Sequence, residues 1–266
     1  MLVASGGEDR TIRIWELGEV SALFCLLTNT SEITALDFSG NGSLLAVGQS
    51  NGAIQILSDV VEKVRKLNVR KPMRCEELFH DVQPFRKRKV PIEVLRFSPD
   101  GQYLAAGCTD AFIDVFSADD FQLVGVCKGH IGAISSLDWD ADSTHLQSNT
   151  WTDELKYWNI PECSENRRST ELRDSRWASF TCRLAWHVLS CVPTGNESSL
   201  RSICRQNPAE KVEPGVFAAG FANGEIQLRP FPAPEAEFTG VSHKSSCRSV
   251  EHVCYSNDSS FLIVAG

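Results

Sequence analysis

The sequence predicts an all-β protein built as a β-propeller, with about five blades present and incomplete at both ends. Three observations predict it. Five segments can be laid over one another: SGGEDRTIRIW (5–15), VGQSNGAIQIL (47–57), AGCTDAFIDVF (106–116), SNTWTDELKYW (148–158) and AGFANGEIQLR (219–229). Four apolar strands precede such segments: ITALDFS (33–39), IEVLRFS (92–98), ISSLDWD (134–140) and LRSICRQ (200–206). The equivalent turn residues Asp9, Asn51, Asp110, Thr152 and Asn223 lie 42, 59, 42 and 71 residues apart. Two spacings are one unit; the other two are one unit plus an insertion. Units of this length, with about four short strands each, cannot bury their faces alone and stack into blades.

Taken in order, blade-like repeats fall near 1–30, 31–70, 90–128, 131–160, 200–240 and 250–266, within one domain spanning 1–266. The first repeat holds the Gly-Glu-Asp-Arg turn before TIRIW. The second and third each run from an apolar strand through a small-residue turn to an alternating strand, the period-2 signature of a half-buried sheet. The fourth ends at Trp158 and the fifth at Arg229. The sixth, VEHVCYSNDSSFLIVAG, starts at Val250. Insertions fall at 63–90 and 159–199. The chain opens on the second strand of one blade and stops on the second strand of another, so it reads as a fragment of a longer protein. The expectation is four nearly complete blades flanked by two partial ones.

Gly129-His130, Ser148 and Trp158 resemble the WD-repeat pattern, in which Gly-His precedes a blade and Trp closes its third strand. The chemistry is a buried relay. The indole N–H donates to the serine hydroxyl, the hydroxyl reaches the imidazole, and a turn acid fixes the ring. Ser5, Asp9 and Trp15 form a second, partial set. In the 148–158 copy the turn place is held by Thr152, with Asp153 one residue late, so this relay is expected to lack its acid.

Composition excludes several classes. Hydrophobic residues make up 42% and charged residues 23% of the 266, ordinary for a globular protein. No apolar run approaches the roughly 20 residues that span a bilayer, which argues against a membrane. No charged n-region with an apolar h-region follows Met1. Ten cysteines occur without a CxxC pair, several of them inside strands (Cys108, Cys204, Cys254), which reads as buried free thiols in a reducing compartment. No GxSxG, phosphate loop or HExxH is present, so no catalytic or cofactor-binding residue is assigned. His80-Asp81 is a lone pair on a loop. His243, Cys247, His252 and Cys254 could be drawn as a zinc site, but His243 fits the Gly-His place and Cys254 a core place, so no metal is assigned. Trp139, Trp177 and Trp186 read as packing residues.

Charge is unevenly spread. Lys63–Lys89 carries ten Lys and Arg against Glu76, Glu77 and Asp81, a net +7 that leaves −15 for the rest of a chain of −8. Its centre, Arg86, Lys87, Arg88 and Lys89, is a candidate patch for an acidic partner. The plainer reading is a solvated inter-blade strand and loop whose charges do nothing specific. The acidic remainder argues against nucleic acid.

The stretch ASFTCRLAWHVLSCVPTGNESSLRSICR (178–205), preceded by Arg173-Asp174 and Trp177, resembles the echinoderm microtubule-associated protein-like family. In that family a Thr-Cys pair follows an aromatic residue, then an apolar strand, then Trp-Pro; Thr181, Cys182, Leu184, Val188 and Pro193 stand at matching places. The segments 92–116, 124–130 and 137–149 resemble the second propeller of the same family. Ala185, Ser190, Val192 and Asn223-Gly224 depart from the pattern and mark a divergent member. The resemblance implies a non-enzymatic, cytoplasmic cytoskeletal scaffold, associated with tubulin or microtubules through the parent protein, with other proteins on the propeller surface and no cofactor. The alternative is a general WD-repeat adaptor for protein–protein interaction without tubulin affinity.

Overall fold

Alternating apolar residues become strands wherever a turn signal lets the chain reverse. The computed structural model describes residues 2–16, 22–66, 73–74, 85, 88–168, 170–173, 175–191, 199–206, 215–233, 240–256 and 258–266. β1 (Leu2–Gly6), β2 (Thr11–Glu16) and β3 (Ala22–Thr28) form the first sheet, and β4 (Ile33–Phe38), β5 (Leu44–Gln49) and β6 (Ile54–Ser58) the second. A short helix, α1 (Val60–Lys66), and β7 (Met73–Arg74) follow. The third sheet holds β8 (Ile92–Phe97), β9 (Tyr103–Cys108), β10 (Phe112–Ser117) and β11 (Leu123–Lys128). The fourth holds β12 (Ile134–Trp139), β13 (His145–Thr150), β14 (Leu155–Asn159) and β15 (Ser164–Glu165). β16 (Leu200–Arg205), β17 (Gly215–Phe221), β18 (Glu225–Phe231) and β19 (Val241–Lys244) form the fifth. β20 (His252–Tyr255) pairs with β21 (Leu262–Ala265). The fold is mostly β, in several antiparallel sheets. The exception among the described strands is β7, which adds to β3 in parallel through Cys25↔Met73 and Leu26↔Arg74. The first insertion thus contains the end of α1 and an added strand.

One turn design serves three of the five hairpins named by the sequence repeats. The turn side chain accepts the backbone N–H two residues on: Asp9 from Thr11 at 3.1 Å, Asn51 from Ala53 at 2.9 Å and Asn223 from Glu225 at 2.9 Å. Asx side chains favour this reversal because they mimic a backbone turn. The residue after each turn position then takes a left-handed backbone: Arg10, Gly52, Ala111, Asp153 and Gly224 have φ of 62°, 81°, 70°, 60° and 81°. Only glycine enters this region without a Cβ penalty, so three of the five turns carry strain.

The inward faces of the strands pack into clusters between successive sheets. Ile12, Ile14, Leu45 and Val47 pack between the first two sheets, and Ile54, Ile92, Leu95 and Leu104 between the second and third. Ile113, Ile134, Trp139 and Trp158 join the third to the fourth. Each such side chain contributes about 1.5–3 kcal/mol on burial. The first strands of consecutive sheets lie side by side: β4 on β8, β8 on β12, and β16 on β20.

Between β12 and β16 a different element intervenes. Residues 177–185 run along the fourth sheet: Trp177 bridges Asp140, Ala178 N–H reaches Trp139 O at 2.9 Å, and Leu184 N–H reaches Asn149 Oδ1 at 2.9 Å. Trp177, Phe180, Cys182, Ala185 and Val188 are buried with Tyr157, Leu200 and Phe217. The second insertion is therefore a wedge with its own core. Where the family resemblance implies an apolar strand after Thr181-Cys182, the chain instead forms turns and a 3-10 segment, Trp186–Cys191.

Candidate interaction face and the network beneath it

His130, Ser148 and Trp158 are brought together. Hairpin pairing sets Ser148 opposite Lys156 on β14, and Trp158 lies two residues further along that strand. Trp158 Nε1–H donates to Ser148 Oγ at 2.8 Å, and Ser148 Oγ lies 2.7 Å from His130 Nε2. The acid expected to be missing is present: Glu154 Oε2 lies 3.2 Å from His130 Nδ1 and accepts the Ile131 N–H at 2.9 Å. Thr152 Oγ1 pairs with Thr150 Oγ1 at 3.1 Å, and Asp153 points to Arg183 at 3.8 Å. Burial holds His130 below the usual histidine value despite Glu154, so the ring is neutral at pH 7. A neutral ring bonded to a carboxylate carries its proton on Nδ1, which leaves Nε2 to accept from Ser148. Every donor in the relay then has an acceptor.

Trp158→Phe breaks that order. It removes the indole donor and a fully buried ring edge. The expected loss is about 2 kcal/mol, read from the urea unfolding midpoint, because Ser148 is left with an empty acceptor site. A loss below about 0.5 kcal/mol would show that the relay contributes nothing beyond packing.

The network supports an exposed surface. Ile131, next to His130, is 85% exposed, and Trp151, in the β13–β14 turn, is 47% exposed. A backbone bond from Trp151 N to Ala133 O at 3.1 Å ties the two loops together. The Arg183 guanidinium lies 5.0 Å from the Trp151 ring and bonds to Leu200 O at 3.1 Å. The relay therefore fixes the base of a face that presents an aliphatic and an aromatic side chain to solvent. Nothing in the one-dimensional pattern singled out this pair, since both residues sit in loops without periodicity.

The candidate acidic-partner patch is changed by the structure at Arg88. Its guanidinium is held by Asp114 at 3.0 Å and Asp110 at 3.1 Å and lies 4.2 Å from the Phe112 ring centroid. Arg88 precedes β8 by the same four residues that separate His130 from β12. It is the third sheet's counterpart of the relay histidine, and two carboxylates within the fold occupy it. Lys89 is exposed. Arg86 and Lys87 lie outside the described residues, as do His80 and Asp81.

Among the described residues no group of three or more His, Cys, Asp or Glu is placed to hold a metal ion. His243 lies exposed on β19 opposite Ile226, seven residues before Val250 rather than at the four-residue place of His130. Cys254, expected in the core, is exposed. Trp139 and Trp177 are buried packing residues, whereas Trp186 is 38% exposed. No described helix is long and apolar enough to cross a membrane.

A family model described as the echinoderm microtubule-associated protein second beta-propeller matches residues 1–266. Echinoderm microtubule-associated protein-like 3 of Mus musculus is 28% identical over 266 residues, covering 98% of this chain and 27% of its own length. The 77 kDa echinoderm microtubule-associated protein of Strongylocentrotus purpuratus is 28% identical over 264 residues, covering 98% of the chain and 35% of its own length. Echinoderm microtubule-associated protein-like 4 of Homo sapiens is 25% identical over 273 residues, covering all of the chain and 25% of its own length. The chain thus spans a quarter to about a third of these relatives.

Proposed function

Because the chain belongs to the echinoderm microtubule-associated protein family, matching its second β-propeller over all 266 residues, we propose that it is a non-enzymatic platform for protein–protein interaction. In this reading the protein works in the cytoplasm, on the cytoskeleton. The full-length family match carries the proposal. The exposed Ile131 and Trp151, standing on a hydrogen-bonded base, support it, since rigidly held apolar side chains give a partner contact area at low entropic cost.

The finer reading is that the partner is tubulin, through its acidic tails. It is supported by the names of the relatives, which are microtubule-associated proteins, and by the basic run near Lys89. Arg88 has no part in it, being held by Asp110 and Asp114. The test is microtubule co-sedimentation of the chain with Arg86, Lys87 and Lys89 replaced by neutral residues. Binding should fall, and it should fall with added salt in the unmutated chain, because exposed charges are screened over roughly 8 Å at physiological ionic strength. Unchanged binding, with intact tubulin or with tubulin stripped of its tails, would remove the tails as ligand and leave the adaptor reading.

A further inference from the structure

The fifth residue of β4, β12 and β16 does a common job. Asp37 on β4 accepts the Phe97 N–H of the next first strand at 2.7 Å. Asp138 on β12 accepts the Thr181 and Cys182 N–H groups at 2.8 Å each. Cys204 Sγ on β16 accepts the Tyr255 N–H at 3.4 Å. Counted from Val250, which packs on Gly220 as Ile134 packs on Gly107, the counterpart in the last unit is Cys254. The last two first strands therefore carry thiols where the others carry charged groups, and they pack against each other.

This register sets Cys204 beside Cys254: the N–H that Cys204 Sγ accepts belongs to the peptide that follows Cys254, on the strand packed against β16, and the two thiols share a hydrogen bond. The two thiols are unequal. Cys254 is exposed and Cys204 is partly buried. A thiol that accepts a hydrogen bond is stabilised as thiolate, and the donor's own proton is held more tightly. The Cys204 bond, followed by the Arg96 guanidinium on β8, brings Cys254 down to about 7 against burial and against Asp37 on β4. Cys204 is pushed up, first by that same bond and then by burial. His252, on the same strand as Cys254, is held below the usual histidine value by burial, so it adds no positive charge at neutral pH. The chain holds a contrasting pair: Cys127 and Cys163 are also hydrogen-bonded to each other, but both are buried.

We propose that Cys254 is a peroxide-reactive thiol and Cys204 its resolving partner, so that oxidation joins β16 to β20 by a disulfide. The Cys254 thiolate attacks one oxygen of hydrogen peroxide, the O–O bond breaks, and hydroxide leaves. The sulfur, now a sulfenic acid, is the oxidised atom. Cys204 gives its proton to the hydroxide, making water, and its sulfur attacks the Cys254 sulfur. The sulfenic hydroxyl leaves with a proton as a second water. Two thiols and one peroxide become one disulfide and two waters. The substrate class is a small hydroperoxide, and the product is a covalent clamp between two neighbouring first strands. Exposure and thiolate character select Cys254 over the buried thiols.

The experiment treats the folded, unmutated chain with limiting hydrogen peroxide, blocks remaining thiols with iodoacetamide and maps non-reduced peptides. The peptide joining Cys204 to Cys254 should form first, while Cys127 and Cys163 stay alkylatable only after unfolding. Before oxidation, iodoacetamide labelling of Cys254 should rise with pH through about 7. Cys204→Ser, at the partly buried position, should leave a Cys254 sulfenic acid that dimedone captures, with no intramolecular disulfide. The proposal is overturned if Cys254 remains fully alkylatable while other thiols are lost, or if the first disulfide joins a different pair. Both readings come from the unmutated chain, so they hold even if Cys204→Ser fails to fold.

Discussion

Asp138→Ala is expected to destabilise the chain by about 4 kcal/mol, since removing one member of a buried charged network commonly costs 3–5 kcal/mol. Asp138 is fully buried. Its Oδ1 accepts from Ser179 Oγ at 2.8 Å, Thr181 N at 2.8 Å and Thr181 Oγ1 at 3.0 Å. Its Oδ2 accepts from Cys182 N at 2.8 Å and Gln147 Nε2 at 3.1 Å. Alanine would strip the half-buried Thr181 and the buried Cys182 backbone N–H groups of their acceptor. Asp138→Asn should lose less, because one oxygen remains while the amide nitrogen faces donors. Guanidinium unfolding of the three proteins checks the order. A loss within about 1 kcal/mol for alanine would show that residues 177–185 are held by their apolar core alone.

Gly52→Ala is expected to cost roughly 3 kcal/mol, combining left-handed backbone strain with a backbone clash. Gly52 has φ +81°, and an added Cβ would collide with the carbonyl oxygen of Arg88 and stand 2.7 Å from that of Val90. A backbone carbonyl cannot swing aside as a side chain can. Gly101 separates the two terms: its φ is +74°, with nothing within 4 Å of the added Cβ. Gly101→Ala should therefore cost only the strain, about 1 kcal/mol. Equal thermal shifts for the two variants would mean that the 88–90 loop yields to the methyl group without penalty.

Much of the candidate site was legible because its parts are local. The interval from Ser148 to Trp158 is one hairpin, so strand alternation and turn length place both on the face that His130 reaches. The acid was missed because the turn position was sought at Thr152 or Asp153, whereas Glu154, just past the turn, reaches back to the ring. Arg88 was placed in the surface patch because a basic run carries no mark of which member turns inward. Its partners Asp110 and Asp114 are 22 and 26 residues away.

The sequence by itself determined the repeat, the hairpins and their turns, and the family. All of these rest on residues within one unit: period-2 apolar strands, an Asx or Gly turn, and a motif read along the chain. The tertiary structure alone decided how units meet. The 177–185 segment sits against β12 because Asp138 satisfies its N–H groups across more than 40 residues of chain. β7 adds to β3 in parallel, with no hairpin to announce it. Cys204 meets Cys254 because neighbouring first strands align the same position in register, 50 residues apart. These contacts depend on sheet packing rather than on spacing, and a linear pattern carries no term for the partner across the gap.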